Sequence, residues 1–272
     1  MSVIVLSLVA SLVGCGGNEK PAATEAKPEA PAAVDLGELK KSAEKVSLVP
    51  SPVAMHESLK KAGVNEALDA LVPDRNLSFE GVSADIAAVK TGVALADTLL
   101  TVRSAPADKL ATRINAVKAG MKALKTGTDI ERTLDDVNQQ VAAAGTGPRD
   151  AIEQEIEMIL QVAIPEVEYE AGEQIVPLLQ AGAWLEGSNL IATAIAKAGK
   201  PEAGTELLRQ GPVCDYFLKY VDIAGKAKTN DAVVEQLRAT LTKLKEISAK
   251  PALTIEDVQE VKRQTDTVLG ML

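Results

Sequence analysis

Leu110, Ile114, Val117, Met121 and Leu124 recur at alternating steps of four and three residues, and only an α-helix places all five on one face. A strand would scatter them over both faces of a sheet. The same beat returns in Ile130, Leu134, Val137 and Val141, in Ile152, Ile156 and Ile159, in Val234, Leu237, Leu241 and Leu244, and in Ile255, Val258, Val261, Val268 and Leu272. Gly127 and Gly145 close two of these stripes, and Pro148 opens the helix that follows. Thr128 to Glu131 and Thr254 to Asp257 carry the capping-box spacing that starts a helix.

Further helices are expected over 35–48, 52–63, 83–103, 165–199 with a break at Pro177, and 212–228. Nothing alternates with period two. The chain therefore reads as all-α, about ten helices in an antiparallel bundle or a stacked array of helical pairs, because short links favour antiparallel neighbours. The longest loop expected is 73–83, which holds Phe79. Two short segments, Ala88 to Gly92 and Ala123 to Gly127, echo each other at a spacing near that of helical repeats. Two Ala-rich helices alike by composition are the simpler explanation of the echo.

The first fourteen residues have a different character. Val3 to Val13 is apolar and uncharged, too short for the roughly 20 residues that a membrane-crossing helix needs, and it ends in small residues, as a secretory signal does. Leu12-Val13-Gly14-Cys15 resembles the bacterial lipobox, which implies cleavage before Cys15 and acylation of its thiol. The resemblance implies a membrane anchor made of acyl chains, and Gly16 in place of Asp implies the outer membrane, on its periplasmic face. The domains expected are a signal peptide at 1–14, a lipidated cysteine and tether at 15–34, and a helical domain at 35–272. Gly16 to Ala33 carries three prolines and no bulky apolar residue, so it reads as a linker, reaching roughly 55 Å if extended.

Charge and residue inventory narrow the function. A net charge of −9 repels nucleic acid and anionic headgroups, so a nucleic-acid partner is not expected. His56 is the only histidine, which removes zinc and di-iron sets that need two; as a triad base it would sit in an otherwise ordinary amphipathic helix. With Cys15 acylated, Cys214 has no disulfide partner. Its place one turn into a helix would lower a thiol pKa, whereas burial beside Val213 and Phe217 would make it a small hydrophobe. Glu166, Glu170 and Glu173 share a helix face and read as a solvated stripe or, less simply, a cation site. No glycine-rich phosphate loop follows a strand, and no cofactor is expected.

Two apolar stretches hold polar residues that a core would not choose. Asp97 interrupts Val93 to Leu100, and Glu186 lies beside the only tryptophan, Trp184, among Gly182 and Gly187. A buried carboxyl needs a partner or a proton, and glycines inside a helix signal close helix approach. These residues carry a further resemblance. Pro50, Ser51 and Pro52, then Gly92 and Asp97, then Trp184, Glu186 and Gly187 resemble three landmarks, in order, of a group of uncharacterised helical bacterial lipoproteins. No activity comes with that resemblance. The function expected is a non-enzymatic, membrane-anchored lipoprotein that presents a helical domain to an envelope protein or a small ligand, with Asp97, Trp184 and Glu186 lining one pocket or seam. Two alternatives stand beside it: a carboxylate-dependent enzyme using Asp97 and Glu186, and a scaffold without a ligand.

Overall fold

The computed structural model describes residues 58–145, 147–224 and 231–272. The signal segment, Cys15, the tether, His56 and the Pro50 to Pro52 landmark lie outside them. The described residues are helical, with no strand among them: a 3-10 turn at Leu68–Ala70, then α1 (Ala84–Thr101), α2 (Ala107–Ala123), α3 (Thr128–Ala144), α4 (Asp150–Ala171), α5 (Ile175–Ala198), α6 (Pro201–Leu207), α7 (Gly211–Ala224), α8 (Asp231–Ser248) and α9 (Ile255–Leu269). The protein is an all-α helical bundle. No helix among the described residues is long and apolar enough to cross a membrane.

The periodic stripes become core. Leu110, Ile114, Val117, Met121 and Leu124 are all buried, as are Ile130, Leu134, Val137 and Val141. With the buried face of α4 they form one apolar cluster; a second gathers the buried faces of α7, α8 and α9 around α5. The helices α1 and α5 belong to both clusters. Ala87, Ala88, Ala94 and Leu95 of α1 and Ile175 and Leu179 of α5 join the first, while Ala96, Leu100, Ala183, Leu190 and Ile195 join the second. A helix enclosed on most sides has no polar face to show, which is why these two lack a clear amphipathic stripe.

Glycine sets how closely α1 and α5 approach. A Cβ on Gly92 would lie 2.0 Å from the Leu179 carbonyl oxygen, and one on Gly182 would lie 2.0 Å from that of Val89. The backbones therefore touch, an approach that only glycine permits. Beyond this contact Asp97 of α1 meets Glu186 of α5. Residue numbers rise together along the two helices, so they run in the same general direction; three intervening helices make that parallel pairing available.

Several boundaries differ from the sequence reading. The helix break near 165 falls at Gly172, whose φ is +99°, while α4 runs on through Pro165. Pro165 and Gln161 are both exposed, so water can satisfy the carbonyl left without a donor. Pro177 sits in the first turn of α5, where its missing N–H costs nothing. The capping box at Thr128 does not form, because α3 is capped at Gly127, whose N–H donates instead to Glu166 of α4. The box at Thr254 and Asp257 does form. The echoing segments hold unlike places: one is the middle of α1, the other is the last residue of α2 and the link that leads to α3. They are not structural repeats.

Candidate functional site

Two adjoining features answer the polar residues of α1 and α5. The first is a buried cluster of charge. Glu186 is fully enclosed, and Arg75 holds it with two parallel bonds, Nη1 to Oε2 at 2.7 Å and Nη2 to Oε1 at 2.9 Å. Such a bidentate pair is the strong form of the arginine–carboxylate contact. Asp97, only 4% exposed, hydrogen-bonds to Glu186. Burial first, and then the Glu186 charge, push the Asp97 carboxyl well above the usual carboxylate range, with Arg75 opposing. Two carboxyls buried side by side cannot both ionise cheaply, which favours the protonated form of Asp97. Its Oδ1 has no hydrogen-bond partner. Arg113 closes the cluster from α2: its Nη1 donates to Thr101 Oγ1 at 2.6 Å, and that hydroxyl donates to the Asp97 backbone carbonyl.

The second feature is a cavity of about 750 Å³ between α1, α5, α7, α8 and α9. Its inner wall is hydrocarbon and aromatic, with Leu178, Trp184, Leu185, Phe217, Leu241 and Val268 among its lining. The Trp184 and Phe217 rings pack with centroids 5.5 Å apart. The polar tips of the aromatic residues are already committed, since Trp184 Nε1 donates to Gln210 Oε1 and the Tyr220 hydroxyl donates to the Gln174 carbonyl at 2.6 Å. Thr240, also in the lining, donates to Gln264. Ser83 and Asp85 lie at one edge, where Ile86 and Met271 are 44% and 43% exposed.

The three residues singled out in the sequence thus divide. Asp97 and Glu186 come together, whereas Trp184 serves the cavity, whose lining includes neither acid. The reason is helical geometry: positions 184 and 186 lie on different faces of α5, two residues being over half a turn. The single pocket expected for all three is therefore two sites. Acid–base work requires a substrate within hydrogen-bond reach of the acid, and the cavity wall offers it neither Asp97 nor Glu186.

The remaining candidates find ordinary settings. Glu166 accepts the Gly127 N–H, Glu170 is exposed, and Glu173 is exposed beyond the end of α4. Among the described residues no group of three or more His, Cys, Asp or Glu side chains could hold a metal ion. Cys214 is a free, buried thiol pushed up to about 12 by burial, which outweighs the helix dipole. Three arginines escaped the sequence reading. Arg75 and Arg113 complete the acid cluster, and Arg149, buried, donates to the carbonyls of Val102, Ala105 and Gly145 where α1 and α3 end. Arg75 lies in the 73–83 loop, 111 residues from its partner, and no local pattern links the two. No family model matches this chain, and no curated protein or solved structure does either.

Proposed function

We propose that this protein is a lipid-anchored binding protein of the bacterial envelope, held by acyl chains on Cys15 and taking a small apolar ligand in the cavity beside Trp184. The cavity carries the reading. Its volume of about 750 Å³ falls within the range of small-molecule sites, about 300–1,000 Å³, and its wall is apolar, as such sites mostly are. The buried acid cluster has the character of a structural core, since Glu186 is paired with Arg75, Arg113 is hydrogen-bonded to Thr101, and the cavity lining includes neither acid. This favours a binding protein over a carboxylate enzyme.

The anchor is supported by the Leu12 to Cys15 lipobox and by the linker-like composition that follows it. The net charge of −9 makes nucleic acid an unfavourable partner. The uncharged fluorophore N-phenyl-1-naphthylamine tests the binding reading. It is expected to bind saturably, one molecule per chain, and to alter the emission of Trp184, the only tryptophan. Ala181→Phe, which places a ring in the cavity, is expected to weaken that binding about tenfold or more. Failure of the fluorophore to bind saturably sets the reading aside.

A further inference from the structure

The cavity also restricts what its ligand can be, an inference that rests on the binding reading above. Inside, every polar group on the aromatic side chains is engaged: Trp184 with Gln210, Tyr220 with the Gln174 carbonyl. Thr240 is fully buried and bonded to Gln264. A polar ligand group pushed inward would be desolvated with no partner, a loss of about 1–3 kcal/mol. The inner end of the ligand must therefore be hydrocarbon.

The outer end meets different conditions. Among the described lining residues Asp85 is the one charged side chain, with no lysine, arginine or histidine among them. Among these described residues an anionic headgroup would find no counter-ion and one like charge. Asp85 already interacts within the protein, so it does not call for a ligand cation either. Beside it, Ser83 is exposed at the start of α1, its hydroxyl oxygen accepting the Ile86 N–H at 3.4 Å. The hydroxyl proton is left to face water or a ligand oxygen.

We infer that the cavity takes a single hydrocarbon chain carrying an uncharged, hydroxyl-bearing headgroup, of the monoacylglycerol class, with the chain against Trp184 and Phe217 and the headgroup at Ser83 and Asp85. Shape and charge both support this. The cavity opens where Ile86 and Met271 are partly exposed, so the headgroup stays hydrated while the chain is buried.

The test uses the full chain carrying Cys15→Ser, so that no acyl chain of its own competes. Bound N-phenyl-1-naphthylamine is displaced by monoolein, by oleate and by hexadecyltrimethylammonium, each below its micelle-forming concentration. Monoolein is expected to displace the fluorophore at a concentration about tenfold lower than either charged amphiphile. Ile86→Lys, at an exposed rim position of the lining, is expected to narrow the gap between oleate and monoolein from about tenfold to within a few-fold. Oleate or the cation displacing as well as monoolein in the unaltered cavity overturns the ligand class while the binding reading stands. Saturable fluorophore binding that Ala181→Phe leaves intact, with an unchanged thermal melt, overturns the assignment to this cavity. Should Ala181→Phe fail to fold, Ile86→Lys alone decides: displacement by oleate that it does not alter also counts against the headgroup at this rim.

Discussion

Asp97 hydrogen-bonds to Glu186 while Arg75 grips Glu186 from the other side, so one buried carboxyl rests on another that is itself held in a bidentate ion pair. The arrangement raises the Asp97 carboxyl above the usual carboxylate range and ties the 73–83 loop to the central helices. Four consequences can be measured.

Asp97→Asn is expected to flatten the dependence of stability on pH. The Asp97 carboxyl is raised in the fold above its unfolded value of about 3.9, so its contribution is fully present below that pH and is lost as the pH rises through the folded value. Asparagine keeps a donor toward Glu186 without a proton to lose. Urea denaturation at several pH values should therefore show the variant gaining on the parent as pH increases. A constant difference across the range would contradict the raised carboxyl.

Glu186→Gln is expected to be far more costly. It removes the carboxylate that Arg75 grips and leaves that guanidinium, only 22% exposed, without its ion-pair partner. Breaking one side of a buried pair costs about 3–5 kcal/mol, read as a lowered denaturation midpoint. A loss no larger than that of a surface substitution would show that Arg75 and Glu186 are not paired in solution.

Gly92→Ala and Gly182→Ala are each expected to destabilise the bundle by about 3 kcal/mol, the upper end for overpacking. In both, the added methyl meets a backbone carbonyl at 2.0 Å, which cannot rotate away as a side chain could. Trp184 lies two residues from Gly182, so its fluorescence should report the displaced helix. Gly145→Ala offers the comparison: it has open space around it, and its cost comes from a φ of +54° alone.

Cys214 is expected to resist thiol reagents in the folded protein. Its thiol is buried and pushed up to about 12, so almost no thiolate forms at neutral pH. Reaction should appear only on unfolding, and rapid modification of the native chain would refute the buried position. Cys15 provides the contrast. Cys15→Ser is expected to abolish incorporation of labelled palmitate in growing bacteria and leave precursor unprocessed; labelling that persists would exclude the anchor proposed here.

The amphipathic helices were legible in the sequence because each had to carry its own stripe to the core. Leu110 to Leu124 and Ile130 to Val141 are buried residue for residue as their spacing requires, and the all-α class follows from such stripes alone. Polar residues inside apolar runs likewise marked α1 and α5 as unusual. Local spacing could also show that Asp97 and Glu186 needed partners, since a buried acid must have them wherever it lies.

Which partners they have was decided by the tertiary structure. Arg75 comes from a loop more than a hundred residues away, and Asp97 comes from α1, whose backbone meets that of α5 at Gly92 and Gly182. Trp184 was grouped with Asp97 and Glu186 by nearness in sequence, yet two steps along a helix turned it toward the cavity instead. Helix ends followed the same division. Pro165 marks a break by its chemistry, but its exposure let α4 continue, and the Gly127 N–H was capped by Glu166 from another helix. A sequence determines which faces must be buried, because burial depends on each segment's own residues; which buried groups meet depends on how closely and at what angle whole helices pack, and that is set only when all of them are assembled.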